Sequence, residues 1–333
     1  MANTYGDITP RTAAYAAAKL LDRALPFMCM ARFGQQQPIP RNKTQAVKFR
    51  RYNGWAPSTT PLTEGVTPAA DNISNTDVTA TLAEYGRRTQ ITDVIADTHE
   101  DPVLTEYAEV MGELAGQTQE TVVYNAIRAG TNVRYANNVA ARANVTTGVS
   151  DNDMRVALRQ LERQNAKRIS KMMAGSDKVG TVPIPPAFIA FCHPDLRGSL
   201  KGLTGWKEPH EYGTYGPLGD NEMGSAWHCR FMSSTLYAPW LAAGASSVNN
   251  LSNGAIPGAA AAADVYPIVI VGADAYATVS LAGATAITPV VVNPTPSDSD
   301  PLGQRGHVGF KFYSTACILN DAWMVRVEVS CPV

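Results

Sequence analysis

The spacing of apolar residues is most regular over 101–130, where it predicts one long helix spanning 102–129. Asp101 suits the N-cap, Pro102 the first helical position, and Gly130 the end of the last turn. At about 1.5 Å per residue the helix is roughly 42 Å long, so we expect other elements to pack along it. Residues spaced by three and four form its predicted apolar face: Leu104, Tyr107, Met111, Leu114, Thr118 and Val122.

The segment before this helix alternates as strands do. Residues 46–52 and 77–95 have strand patterns, and 53–76 between them is rich in Pro, Gly, Thr and Asn. We therefore predict an extended hairpin over 46–95. It has too few large apolar residues to bury a core of its own, so we expect it to lie on a neighbouring surface.

The segment ahead of the hairpin reads as an arm. It contains a helical pattern over 13–25, followed by a Gln- and Pro-rich stretch over 32–45. No basic region precedes an apolar core, so we do not expect a signal peptide. No apolar run reaches the roughly 18 residues of a spanning helix.

The chain after the long helix alternates between helical and strand patterns, which predicts an α/β unit over about 150–290. The Ala- and Gly-rich stretch within it, 241–264, is expected to be a mobile or surface loop. The predicted elements are a helix over 152–168, a strand, turn and short helix over 188–200, a strand over 228–235, and two strands over 266–281. Residues 307–329 then predict two hydrophobic strands, paired as a hairpin about Asn320 and Asp321, beside the long helix.

Charge and cysteine content narrow the possible functions. The net charge is −1 and 17% of residues are charged, whereas proteins that bind nucleic acid through its phosphates are usually basic. The five cysteines are odd in number and form no CxxC pair, which favours reduced thiols over a disulfide scaffold.

Candidate catalytic and metal-binding groups each have a simpler structural interpretation. The run His99–Glu100–Asp101 precedes a helix, where acidic residues stabilise the dipole. The pairs Cys192–His193 and His228–Cys229 do not match zinc-ligand spacing, so buried cysteines in strands are the favoured interpretation. The chain has no phosphate-binding or nucleophile-elbow glycine motif. We expect no enzymatic activity, cofactor or metal, and keep an α/β enzyme with an unrecognised site as an alternative.

Several segments resemble one family of proteins, in that family's order. They are TPLTEGVTP (60–68), THEDPVLTE (98–106), AGTNVRYA (129–136), CHPDLR (192–197), DPLGQRGHVGFK (300–311) and ILNDAWMVRVE (318–328). The family is that of the major capsid proteins of the large-virion-polymerase podophages, which are tailed bacteriophages. The resemblance runs from about residue 10 to 330, and 234–265 is an insertion that it does not place.

The resemblance implies an α+β, HK97-like fold and a protein that self-assembles into an icosahedral shell around double-stranded DNA. The implied parts are an N-terminal arm (1–45), the extended hairpin loop (46–95), a peripheral domain with the spine helix (96–149), an axial domain (150–290) and a return to the peripheral domain (291–333). An encapsulin-like cellular compartment shares this fold and is the second alternative.

The implied partners are copies of the same chain, in pentamers and hexamers. Scaffold, portal and decoration proteins are further candidates, and a scaffold is expected to be a separate protein. Packaged DNA would be held without sequence-specific contact and no membrane is involved. The implied location is the virion, after assembly in the host cytoplasm.

The predicted contacts between subunits are electrostatic, since the hairpin is basic and the spine helix acidic. Arg50 and Arg51 lie on the predicted ascending strand, and Arg87 and Arg88 on the predicted descending strand. The full set of expected contact residues is Arg50, Arg51, Glu64, Arg87, Arg88, Glu106, Glu109, Glu113 and Glu120.

Overall fold

The computed structural model describes residues 29–94, 103–169, 173–174, 182–213, 216–281, 287–292, 296 and 300–333. The predicted helix over 13–25 and the predicted cap at Asp101 lie outside these residues. The α-helices are α1 (Val103–Arg128), α2 (Asp151–Arg163) and α3 (Arg197–Lys201).

The predicted long helix and the predicted short helix after Cys192 are therefore confirmed. The helix predicted over 152–168 is confirmed only as far as Arg163, where α2 ends. Ser150 caps α2 in a reciprocal pair with Asp153. The strands are β1 (Gln35–Ile39), β2 (Ala46–Tyr52), β3 (Asn75–Thr81), β4 (Ala83–Thr92), β5 (Val133–Tyr135), β6 (Met173–Ala174), β7 (Val182–Pro183), β8 (Phe188–Cys192), β9 (Glu222–Ala226), β10 (Cys229–Ser233), β11 (Ser246–Ser247), β12 (Ala261–Ala262), β13 (Val265–Val271), β14 (Tyr276–Leu281), β15 (Ile287–Val292), β16 (Arg305–Ile318) and β17 (Met324–Ser330).

A six-stranded mixed sheet lies at the centre of one lobe, in the order β5-β17-β13-β8-β10-β9. Helix α2 covers one face through Met154, Leu158 and Leu161. The C-terminal part of α1 covers the other face, with Tyr124 and Ile127 in its core. Because both faces are covered, every residue of β13 and β17 is buried.

A five-stranded sheet forms a second layer, under the first part of α1. Strand β16 is its centre: it pairs with β14 through its C-terminal residues, and with β15 and β4 through its N-terminal residues. Strand β1 adds to β14 in parallel, so part of the predicted arm is a sheet strand. Phe310 and Phe312 of β16 pack against Ala115 of α1.

The buried face of α1 differs from the predicted one. Ala108, Ala115, Val123 and Ile127 are buried, whereas Tyr107 of the predicted face is 37% exposed. The small residues allow the helix to approach the sheet closely, and large side chains of β16 fill the space between them. The apolar pattern therefore predicted the helix but misplaced its buried face.

The predicted hairpin about Asn320 and Asp321 is wrong. Strand β16 belongs to the five-stranded sheet and β17 to the six-stranded sheet, so a short 3-10 turn, Asp321–Trp323, carries the chain between layers. A Cβ atom at Gly130 would lie 2.9 Å from both Asp321 Oδ1 and the Met324 methyl, which explains a glycine there. The boundary expected at 290–291 does not separate the two sheets, since β17 lies beside β13.

The extended hairpin is also shorter than predicted. Strand β2 pairs with β3 from Ala46↔Thr81 to Tyr52↔Asn75. After Leu82 the chain turns into β4, which joins the five-stranded sheet beside β16. The predicted descending strand over 77–95 is thus two strands with different partners, a division that pairing with distant β16 imposes.

Candidate assembly surfaces

The base of the β2–β3 hairpin is fixed to the five-stranded sheet. Ala80 and Leu82 are buried together with Ile39 of β1 and Val279 of β14. Phe49 of β2 packs against the edge of this cluster. The burial anchors the hairpin at one end and leaves the rest of it to extend from the subunit.

The tip of the hairpin, residues 53–74, is exposed throughout and contains no strand. The Trp55 indole donates to the Asn72 carbonyl at 3.2 Å, which joins the two sides of the tip. Large apolar side chains on the hairpin have no cover: Tyr52, Trp55, Leu62, Val66 and Ile73 are 59–78% exposed. The sequence interpretation missed these residues, although large apolar side chains in a Pro- and Gly-rich loop are themselves a signal of a contact surface.

The arginines of the ascending strand have different environments. Arg50 forms a two-point ion pair with Asp77 of β3, with Nε–Oδ1 and Nη2–Oδ2 distances of 2.8 and 2.9 Å. The pair raises the pKa of Arg50 and lowers that of Asp77. Arg50 is therefore engaged across its own hairpin, while Arg51 faces the opposite side of β2.

The placement of Arg87 and Arg88 on the descending strand of the hairpin is wrong, because both lie on β4. They pair in register with Phe310 and Gly309 of β16, and both side chains are exposed. Adjacent residues of a strand face opposite sides of the sheet. The acidic residues along one neighbouring helix therefore cannot contact both Arg87 and Arg88. Arg87 shares its face with Ile91, which packs on α1, and Arg88 faces away from the helix.

The acidic residues of α1 do not form one exposed row. Glu109 and Glu113 are half-buried, and the side chain of Glu106 lies outside the described residues. Glu64 is exposed in the hairpin tip. Glu120 is fully buried, so its predicted contact with a neighbouring subunit is wrong.

The carboxylate of Glu120 instead binds the short 3-10 turn Met30–Arg32 and Tyr237 within its own subunit. It accepts the Met30 amide at 2.9 and 3.2 Å and the Tyr237 hydroxyl at 2.7 Å. Burial raises its pKa to about 7, since hydrogen bonds from Tyr237, Met30 and Cys29 and the charge of Arg32 offset only part of the desolvation. The contact ties residues Met30–Arg32 to the middle of α1.

A second buried acid, Glu328 of β17, binds two arginines. Arg142 donates to both of its oxygens at 2.6 and 2.8 Å, and Arg326 donates to Oε1 at 2.9 Å. Arg326 also donates to the carbonyls of Gly130 and Arg128, at the end of α1. The cluster joins β17 to the end of the long helix. Sequence patterns missed it because Arg142 and the end of α1 are nearly 200 residues before Arg326 and Glu328 in the chain.

The cysteines that the sequence analysis considered for catalysis lie in buried strands. Cys192 and Cys229 are fully buried, and burial raises the pKa of both thiols. Within the described residues, no cluster of His, Cys, Asp and Glu side chains could hold a metal ion. None of the helices described there is long and apolar enough to cross a membrane.

Comparison with known proteins agrees with this geometry. A family model described as phage capsid protein matches residues 75–291. No curated protein matches the chain.

Solved structures share the fold over nearly the whole chain. The capsid of Ralstonia phage GP4 has a TM-score of 0.64 and 10% identity, covering 90% of this chain and 88% of that one. The head protein of Helicobacter pylori bacteriophage KHP40 has a TM-score of 0.61 and 11% identity, covering 91% and 88%. The SrpI encapsulin of Synechococcus elongatus PCC 7942 has a TM-score of 0.50 and 10% identity, covering 99% and 91%.

At such low sequence identity, the structural similarity establishes the fold alone. The match to the family model establishes the kind of protein. The resemblance to the podophage subfamily in particular stays a prediction. The α+β, HK97-like fold expected from the sequence is confirmed. Since the family model covers well over half of the chain, the chain belongs to the phage capsid protein family, as a major capsid protein that forms the shell.

Proposed function

We propose that this chain assembles, as pentamers and hexamers, into the icosahedral shell that encloses the double-stranded DNA of a tailed phage. No catalytic step is involved. Scaffold, portal and decoration proteins are the further partners, and the DNA is enclosed without sequence-specific contact. Assembly takes place in the host cytoplasm.

The observation that carries this proposal is the exposed apolar hairpin tip. A monomeric enzyme would leave Trp55, Leu62 and Val66 in water with no compensating role, whereas a shell subunit covers them with a neighbour. The hairpin base is buried in its own subunit, so the tip is held out from the body at a defined position. Electron micrographs of the purified protein test the proposal, because closed particles are expected and a monodisperse monomer would contradict it.

The encapsulin-like compartment stays the alternative, because the SrpI encapsulin has the same fold. The two functions are distinguished by analysing what the particles enclose when they are isolated from the cells that produce them. Packaged double-stranded DNA is expected here, and an enclosed cargo protein in its place would favour the compartment.

Removing the apolar character of the tip should abolish assembly without unfolding the subunit. In Leu62→Asp with Val66→Asp, we expect soluble protein with an unchanged melting temperature and no closed particles in micrographs. Both side chains are more than 60% exposed, so their loss costs the isolated fold little. The matched control is Ser58→Asp with Thr59→Asp, which adds the same charge to the tip and keeps the apolar residues. Normal particles from the first variant, or loss of particles from the control, would contradict a hydrophobic role for the tip.

We also propose that Arg88, on the side of β4 away from α1, meets an acidic residue of a neighbouring subunit, with Glu109 and Glu113 of its α1 as candidates. Arg88→Glu should weaken each contact by about 1 kcal/mol, or roughly fivefold, and less at high salt. Arg87→Glu, on the opposite face of the same strand, is the control and should assemble nearly as the wild type does. Light scattering over a range of salt measures the difference. Equal assembly by both variants would show that Arg88 is solvated surface, and rescue by Glu109→Arg or Glu113→Arg would identify the partner.

A further inference from the structure

Helix α2 has a row of arginines on its exposed side. The buried side of the helix packs on the six-stranded sheet, whereas Arg155, Arg159 and Arg163 follow one another at intervals of four residues and are all exposed. At about 1.5 Å per residue, neighbouring members of the row are roughly 6 Å apart along the helix axis, and the whole row spans roughly 12 Å. The three side chains therefore form a line of positive charge along one ridge of the helix.

The carboxylates of α2 do not neutralise this row. Asp153 is used by the cap of the helix, and Glu162 pairs with Arg168 at 3.0 Å. Within the part of the chain that the structure describes, neither Arg159 nor Arg163 forms a hydrogen bond or an ion pair. The row therefore keeps its charge available for a ligand.

The stability of the helix does not account for the row. Like charges four residues apart destabilise a helix, and the row contains two such pairs. The helix dipole favours a cation in the last turn, where Arg163 lies, but it gives no such advantage to Arg155 and Arg159 nearer the start. The repulsion within the row is a cost that a bound anion would offset.

A fourth arginine faces the row from strand β5. Arg134 donates through Nε to the side-chain oxygen of Gln160 at 2.7 Å, and Gln160 donates in turn to Asn132. These bonds hold the guanidinium group of Arg134 against α2. Arg134 and Arg159 line two adjoining hollows between α2 and β5, with volumes of about 440 and 330 Å³, and Arg163 lines the larger one. The four arginines thus surround one groove and its rim.

The chemistry of these side chains fits phosphate groups. A guanidinium group stays charged and can donate two parallel hydrogen bonds to one phosphate. The length of the row favours an extended ligand, because one small anion cannot contact side chains that are roughly 12 Å apart. A DNA duplex carries one negative charge per about 1.7 Å of its axis, so that about seven phosphate charges lie along a row of this length.

We propose that the arginine row of α2, together with Arg134, binds the phosphate backbone of the double-stranded DNA that the shell encloses. Backbone contacts of this kind read no base sequence. The net charge of −1 concealed the site, because it averages this basic surface with acidic residues elsewhere in the chain. The inference rests on the proposed function, from which it takes its ligand.

The test measures how salt changes the binding of DNA to the full-length subunit, separated from closed particles by gel filtration. The probe is a fluorescein-labelled duplex of about 20 base pairs and mixed sequence, and fluorescence anisotropy gives its binding constant between about 25 and 100 mM NaCl. Four phosphate contacts predict a slope of about −3.6 for the logarithm of the binding constant against the logarithm of the salt concentration. The affinity should therefore fall roughly 150-fold over this fourfold rise in salt.

Substitutions assign the slope to particular side chains. Arg155→Gln, Arg159→Gln and Arg163→Gln should each make the slope less steep by about 0.9, and the triple variant should keep only about −0.9 from Arg134. The matched control is Arg87→Gln, which removes one exposed positive charge from β4 and should keep the slope of the wild type. Melting temperatures should not change, because all the substituted side chains are exposed.

Competitors at matched ionic strength identify the class of ligand. Inorganic phosphate and poly-glutamate should each displace the labelled duplex much more weakly than unlabelled DNA does, because neither has the charge density of a duplex. Equal displacement by inorganic phosphate would indicate a site for a free anion, and equal displacement by poly-glutamate a site for an acidic protein segment. Either result would overturn the inference.

Two further results would also overturn it: a triple variant that keeps the slope of the wild type, and an equal loss of slope in Arg87→Gln. Micrographs of the same preparation separate this inference from the proposed function. Closed particles built from a subunit that does not bind DNA would contradict the inference alone. DNA binding by a chain that forms no particles would contradict the proposed function alone.

Discussion

Glu328→Gln should destabilise the unassembled subunit by about 3–5 kcal/mol, one of the two largest effects expected from a single side chain here. The substitution keeps the shape of the side chain and removes the negative charge that neutralises Arg142 and Arg326. Arg326 is 8% exposed, so its charge would stay buried without a carboxylate. The midpoint of denaturant unfolding measures the effect.

The control for this prediction is Glu162→Gln, which removes the acid from a pair with Arg168 at 3.0 Å. Glu162 is exposed, so the change should cost at most about 1 kcal/mol. If the two variants unfold at the same denaturant concentration, the buried cluster contributes no more than a surface pair. Glu328→Met tests whether apolar packing can replace the acid, and we expect no recovery because both arginines remain.

The stability of the wild-type subunit relative to Glu120→Gln should fall by about 3 kcal/mol as pH rises from 4.5 to about 7. A glutamate carboxyl has an ordinary pKa of 4.5, and burial raises the pKa of Glu120 to about 7 in the folded protein. Between pH 4.5 and about 7 the folded state therefore holds a proton that the unfolded state releases. The stabilisation that results is fully present below pH 4.5, where the carboxyl is protonated in both states. This contribution is lost as the pH rises through the pKa of the folded state. Above that pKa, the difference in unfolding free energy between the wild type and Glu120→Gln no longer changes with pH.

Unfolding curves of the wild type and Glu120→Gln over this pH range measure the difference, because other titrating groups are common to both proteins. The glutamine keeps one oxygen for the Met30 amide and the Tyr237 hydroxyl. Parallel stability curves for the two proteins would show that Glu120 titrates normally, and therefore that it is not buried as described.

Local patterns were sufficient for the elements whose signals are contiguous in the chain. Helices α1 and α2 were predicted from the helical patterns of their own residues, because periodicity acts over a few residues. The strand, turn and short helix after Phe188 follow from the same kind of signal. Motifs quoted from the chain also led to the HK97-like fold before any contact was known.

Contacts between distant segments determined the strand boundaries and the side-chain environments that local patterns did not predict. Residues 77–95 have one continuous strand pattern, yet pairing with β2 before Leu82 and with β16 after it divides the segment into β3 and β4. The charge of Glu120 and its helical spacing predicted a surface residue, and only the approach of Met30 and Tyr237 made it a buried one. Arg87 and Arg88 are adjacent in the chain but face opposite sides of a sheet whose existence depends on β16, more than 200 residues later.

The amino-acid sequence was thus enough to establish the class of fold, the long helix and the presence of an extended hairpin, since these depend on local spacing and on motifs. The tertiary structure alone decided which residues of that helix are buried and where the hairpin ends. It also decided that Asp264 accepts the amides of Ala242, Asn253 and Gly254 and so fixes the Ala- and Gly-rich loop over 241–264. The physical reason is that burial and hydrogen bonding depend on which distant segments come together. The residue pattern within one segment does not specify the segment with which it packs or pairs.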